Sequence, residues 1–180
     1  MSAQCDIVFR MSKLPPVANV LTALGIPHRI FRHAGPVTSL EQAAQERGQT
    51  PEQVIRSIVF RLGEGRFVMV LAAGRAQISW PALRAYLGQS RLTLASEAEV
   101  LQVTGYRIGT VTPIGLPAPL RILADEAVFQ REEISLGSGE PNVGVIMKAA
   151  DLRRVLGTVE VGQFVQTTGD EAAKNASTSA

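Results

Sequence analysis

Few side chains in this sequence of 180 residues have the type and spacing for acid–base or nucleophilic chemistry. Cys5, the one cysteine, lies in a stretch without pattern, away from any strand–helix elbow, and there is no G-x-S-x-G segment. The two histidines, His28 and His33, flank one predicted strand. Their odd separation turns them to opposite faces, so they cannot both ligate one metal. One cysteine and two histidines leave little material for zinc, and no metal site or other cofactor is expected. His33, at the strand end before Gly35-Pro36, is open to a site role or to a structural one. Asp125, beside Glu126 at another strand end, can cap a helix or reach a site. The Gly137-Ser138-Gly139 turn can present backbone N–H groups to an anion or a developing oxyanion, or can simply close a hairpin. Arg56 and Arg75 stand at the ends of apolar strands, where an arginine commonly sits on the solvated rim.

The elements that must position these residues alternate irregularly. Leu14, Val17, Val20, Leu21 and Leu24 share one face of a helix over 14–24, stopped by Gly25. A strand follows over 26–33. Ser39 with Gln42 opens a short helix, and Thr50-Pro51-Glu52-Gln53 is a second helix N-terminal signature with proline at the first helical position. Residues 55–62 and 66–72 form a hairpin around Gly63-Glu64-Gly65, apolar enough that both faces can be covered. A helix over 79–87 ends at Gly88, a short strand spans 91–95, and Ser96 with Glu99 caps a helix that stops at Thr104-Gly105. Residues 105–119 are too rich in Gly and Pro for a regular element, and their Val, Ile and Leu argue for an ordered loop. Strands over 121–124, 132–136 and 143–147 and a helix over 149–156 complete the pattern. The reading is mixed α/β, a single domain with one central mixed β-sheet flanked by short helices. Residues 13–165 make the domain, with a loose lead-in over 1–12 and a disordered tail over 166–180.

Composition bounds the function. With 46% hydrophobic and 19% charged residues the chain is globular, and no apolar run approaches membrane-spanning length. No secretory signal is expected, so a cytoplasmic protein is. The net charge of +2 is not the dense field of a protein that coats nucleic acid, although local contact stays open. Of the 18 basic residues only Lys13, Lys148 and Lys174 are lysines.

From residue 14 to about 164 the ordered features resemble the YbaK-type family, the editing domain associated with prolyl-tRNA synthetase. The resemblance rests on the helix and His33 strand, on Ala43-Ala44, and on Pro51 to Phe60. It continues through Leu71-Ala72-Ala73-Gly74-Arg75, Ala82-Leu83 and Leu87-Gly88. Its most specific part is Thr104 to Leu116 (TGYRIGTVTPIGL), followed by Asp125, the Gly137 turn and Asp151-Leu152. The resemblance implies hydrolysis of the ester between a mischarged amino acid and the 3′-terminal adenosine of tRNA, with a synthetase or elongation factor as a further partner. It implies Arg56, Gly109 and Pro113 at the reacting ester. Around the substrate it implies His33, Ser57, Gly74, Arg75, Thr110, Val111, Thr112, Asp125, Gly137, Ser138 and Gly139.

An aminoacyl ester is already activated, so such a site needs chiefly to orient water and to stabilise an oxyanion with fixed N–H donors. The sequence departs from the family at residue 56, where the resemblance implies lysine. Arginine keeps the charge but cannot act as a base. The alternative reading is therefore a non-catalytic module of the same fold that binds an aminoacyl or tRNA end. The amino acid removed and the oligomeric state are not legible.

Overall fold

A computed structural model describes residues 14–166. The lead-in expected over 1–12, with Cys5, and all but the first residue of the expected tail lie outside them. Among the described residues, five short helices surround two sheets. Strands β2 (Ile55–Gly63) and β3 (Arg66–Ala73) form the expected hairpin at the centre of a five-stranded mixed sheet. β4 (Thr93–Leu94) pairs antiparallel with the far end of β2. On the other side β5 (Arg121–Asp125) runs parallel to β3, and β8 (Glu160–Gly162) parallel to β5.

β1 (His28–Arg32), β6 (Glu133–Gly137) and β7 (Val143–Lys148) do not extend this sheet. They make a separate antiparallel sheet in the order β1-β7-β6, joined at the start of β2 by a parallel bridge between Val54 and Ser135. The single sheet read from sequence is thus two, with the mixed one central. Gln53 reinforces the junction: its backbone ends the 3-10 turn Pro51–Gln53, and its Nε2 donates to the Glu133 carbonyl at 2.9 Å.

β3 explains why its sequence is apolar throughout. Period-2 alternation sends Met69, Leu71 and Ala73 into a core shared with Ile134, Leu136, Val145 and Met147 of the second sheet. It sends Val68, Val70 and Ala72 into a second core under α3 (Trp80–Leu87), with Leu83, Leu87 and Phe164. A strand covered on both faces must be apolar at every position. α1 (Pro16–Ala23), α4 (Glu97–Thr104) and α5 (Ala149–Leu156) close the first core with Val17, Leu21, Val100 and Leu152. The helix ends follow local signals. In α4 the Ser96 N–H donates to the Glu99 side chain at 2.8 Å, and Gly105 ends the helix in the left-handed region at φ 74°.

Leu71→Ala opens a cavity between the sheets at a fully buried position. A loss of roughly 2–5 kcal/mol is expected, read as a fall in the urea midpoint with an unchanged slope.

Candidate functional site

β4 pairs β2 only at Phe60 and Arg61, so residues 55–58 of β2 are a free edge. A cleft of about 760 Å³ opens there. β2 supplies one wall, and residues from both of its faces line the gap, where no strand pairs with the edge. Opposite stand residues 107–111 of the long loop, Leu136 and Gly137 at the end of β6, and Pro141 to Val143 entering β7. The start of α2 (Leu40–Glu46), with His33 and Arg47, closes one end.

The loop is pressed onto the Gly137 turn. A Cβ on Gly137 would lie 2.7 Å from the Val111 carbonyl oxygen and 2.9 Å from that of Thr110, so only glycine fits. The Gly139 N–H donates to the Thr110 carbonyl at 3.2 Å. Tyr106, which is buried, packs its ring on Gly139 and donates its hydroxyl to the Ile114 carbonyl at 2.8 Å. Burial pushes the Tyr106 phenol up, so it stays a neutral donor. The Val17 N–H at the start of α1 donates to the Ser138 carbonyl at 3.2 Å, tying a helix to the same turn. Within the loop both the N–H and the hydroxyl of Thr110 bond the Arg107 carbonyl, at 2.9 and 2.8 Å. The N–H groups of Gly109 and Val111 on either side make no such bond.

Three guanidiniums and one imidazole are the charge-bearing groups on the lining, and no carboxylate lines it. Arg56 donates from Nη2 to the Ala76 carbonyl, and its Nε is buried without a partner. Burial pushes its guanidinium down, and an arginine side chain stays protonated in proteins. The Ser57 hydroxyl, next along β2 and so on its other face, is also buried without a partner. Arg47 donates from Nε to His33 Nε2 at 3.2 Å and from Nη1 to the Ser135 hydroxyl at 2.9 Å, and burial lowers its pKa too. His33 Nδ1 meets Glu46 Oε2 at 2.5 Å. An imidazole that accepts from Arg47 through Nε2 must donate to Glu46 through Nδ1, which fixes the neutral tautomer. That bond, with one from Gln42, holds the Glu46 carboxyl below its ordinary range.

Of the residues implied by sequence, the structure brings His33, Arg56, Ser57, Gly109, Thr110, Val111 and Gly137 to one cleft. It places the others elsewhere. Pro113 turns away to a separate groove with Leu116 to Leu120, because Thr112 before it is buried in the protein. Gly74 packs its backbone on the Pro51–Glu52 turn, where a Cβ would lie 3.2 Å from the Glu52 Cα, and Arg75 is held outside by Glu41. Ser138 is buried and accepts the Glu140 N–H, while Gly139 faces Tyr106. Asp125 is a structural anchor. One carboxylate oxygen caps the 3-10 turn Glu126–Phe129 through the Ala127 N–H at 3.0 Å. The other takes the N–H groups of Phe164 and Val165 at 2.7 and 3.1 Å. Arg47 escaped the sequence reading. Its one sequence signal is Gly144 inside the apolar strand β7, where a Cβ would meet the Arg47 guanidinium at 2.5 Å. Among the described residues no group of three or more His, Cys, Asp or Glu is placed to hold a metal.

A mixed α/β domain with a cleft at a free strand edge, bordered by a Gly/Pro loop and a glycine turn, defines a class. Residues 34–155 match the family described as the aminoacyl-tRNA editing domain, and the chain belongs to that family. It is 29% identical over 140 residues to the multifunctional Ser/Thr-tRNA deacylase ProXp-y of Escherichia coli K12, covering 76% of this chain and 83% of that one. It is 36% identical over 92 residues to the proline–tRNA ligase of Kosmotoga olearia, covering 51% of this chain but 16% of the ligase. The fold matches a crystal structure of a candidate trans-editing enzyme for prolyl-tRNA synthetase, with TM-score 0.77 and 24% identity over 87% of this chain and 100% of that chain. It also matches the hypothetical protein APE2540, with TM-score 0.75 and 22% identity over 84% and 99%.

Asp125→Ala removes the acceptor of three N–H groups at a buried position. The expected result is a loss of roughly 2–4 kcal/mol in urea unfolding with unchanged turnover per folded molecule. A turnover defect in fully folded protein would restore Asp125 to the site.

Proposed function

We propose that this protein is an aminoacyl-tRNA deacylase, hydrolysing in trans the ester that joins a mischarged amino acid to the 3′-terminal adenosine of its tRNA. The observation that carries this reading is a set of uncommitted polar groups on one cleft. The Arg56 Nε and Ser57 Oγ are buried without protein partners, and Gly109 and Val111, whose N–H groups make no backbone hydrogen bond, line the same cleft. Native proteins seldom leave buried polar groups unpaired without a functional reason.

These groups suit an ester. Water attacks the carbonyl carbon, and the carbonyl oxygen gains negative charge. The loop N–H groups and the Arg56 guanidinium stabilise that oxyanion. The bond from carbon to the ribose oxygen then breaks, freeing the amino acid and returning the oxygen to the tRNA with a proton. The neighbouring ribose hydroxyl lies close enough to relay that proton. Arg56 stands where the resemblance implies lysine and acts as fixed charge, since a guanidinium cannot serve as the base. His33 has both ring nitrogens committed to Glu46 and Arg47, so it holds the Arg47 wall rather than moving protons. The cleft walls set the size of the amino acid admitted. The partner is the aminoacylated 3′ end, with the synthetase as a second partner on the strength of the ligase similarity. A cytoplasmic location goes with that role; among the described residues no helix is long and apolar enough to cross a membrane.

The test is release of amino acid from tRNAs charged with Ala, Cys, Ser, Thr or Pro, matched and mismatched. Wild type should release a subset above the spontaneous rate. Arg56→Ala should lower kcat/KM roughly 10²-fold, and Arg56→Lys should recover much of that loss. No release by wild type, with RNA binding intact, would overturn the deacylase in favour of a binding module.

A further inference from the structure

Resting on the deacylase reading, we infer that the lip formed by Arg107 and Ile108 holds the last nucleotide of the RNA. The guanidinium takes the phosphodiester on its 5′ side, and Ile108 with Leu94 takes one face of its base.

The three guanidiniums of the cleft are not equivalent. Arg47 is committed to His33 and Ser135, and Arg56 is tied through Nη2 to the Ala76 carbonyl with Nε left over. Arg107 is exposed and makes no side-chain hydrogen bond or ion pair among the described residues. Next to it Ile108 is 58% exposed, and Leu94, also on the lining, is 57% exposed. These are two of the six large hydrophobic side chains left exposed among the described residues. The lip is fixed in advance, because the Arg107 carbonyl takes two bonds from Thr110 and Gly109 turns at φ 89°.

The chemistry of the nucleotide fits this order from inside to outside. The aminoacyl ester and the 5′ phosphodiester sit at opposite sides of one ribose. If the ester lies at Ser57 and the loop N–H groups, the phosphate must emerge at the mouth, beside the base. A lone cation next to apolar surface suits one phosphate and one stacked base. It does not suit a duplex, which would need a basic stripe, and the net charge of +2 supplies none.

The experiment measures binding of an uncharged RNA hairpin ending in CCA, and of the same hairpin shortened to CC, across a salt series. Uncharged RNA makes the result independent of ester hydrolysis. Wild type should prefer the CCA end. Arg107→Gln should bind it about tenfold more weakly, as for loss of one charged hydrogen bond. Its slope of log affinity against log salt should fall by about 0.7, the value for one single-stranded phosphate. Arg107→Lys should restore the slope, and Ile108→Ser should abolish the preference for CCA over CC. Both residues are exposed, so matched urea midpoints verify folding. Equal affinity and slope for wild type and Arg107→Gln, or no preference of wild type for CCA, overturns the inference. If Arg107 dependence holds but no amino acid is released from any charged tRNA, the deacylase reading falls and this one stands.

Discussion

The cleft depends on one contact, the seating of the loop after α4 on the glycine turn after β6. Gly137 lies so close to two successive loop carbonyls that a single methyl group would force them apart. Gly139 completes the contact from the other side, giving its N–H to Thr110 and its bare Cα to the Tyr106 ring. Tyr106 then reaches back along its own loop to Ile114. The loop carries no regular structure, so its carbonyls and N–H groups have few internal partners. What fixes it is burial of its apolar side chains and these few bonds across to the turn. Once it is seated, its remaining N–H groups can only point where the turn lets them.

The second constraint is electrostatic. Arg47 and Arg56 are half-buried, yet their partners in the protein are neutral: a serine hydroxyl, an imidazole nitrogen and a peptide carbonyl. Carboxylates lie one step further out, as with Glu46 behind His33. Neutral acceptors satisfy the hydrogen-bonding geometry without cancelling the charge. The field therefore extends into the cleft, where low-dielectric walls focus it. A protein of nearly balanced charge thus presents a locally positive cavity.

How much of this was legible follows the range of the interactions. The helices announced themselves because serine caps and terminal glycines act within one turn, as Ser96 and Gly105 do for α4. The β2–β3 hairpin was legible for the same reason. β8 was not, because three residues pairing in parallel with a distant strand leave no periodic trace. The division into two sheets was hidden too, since strands of either sheet share one period. Asp125 sat at a strand end, where pattern alone left cap and site open, and only the chain returning at Phe164 decides between them. Arg47 sits in a polar run at the end of α2, and the serine it bonds is 88 residues away. Candidate residues carried by the loop and the hairpin line one cleft. Those that the fold turns aside, such as Pro113, share the motif but not the cleft.

The free edge of β2 has a cost outside catalysis. Unpaired strand backbone is a template on which any extended segment can add, including the same strand of another copy, and this is how sheet proteins aggregate. Here the exposed stretch is short. A cation stands in it at Arg56, and the ordered loop rises in front of it where an incoming strand would have to lie. The loop thereby stands in the path of strand addition at that edge. Solubility and substrate access thus act on the same four residues of β2 in opposite directions, and the loop reconciles them.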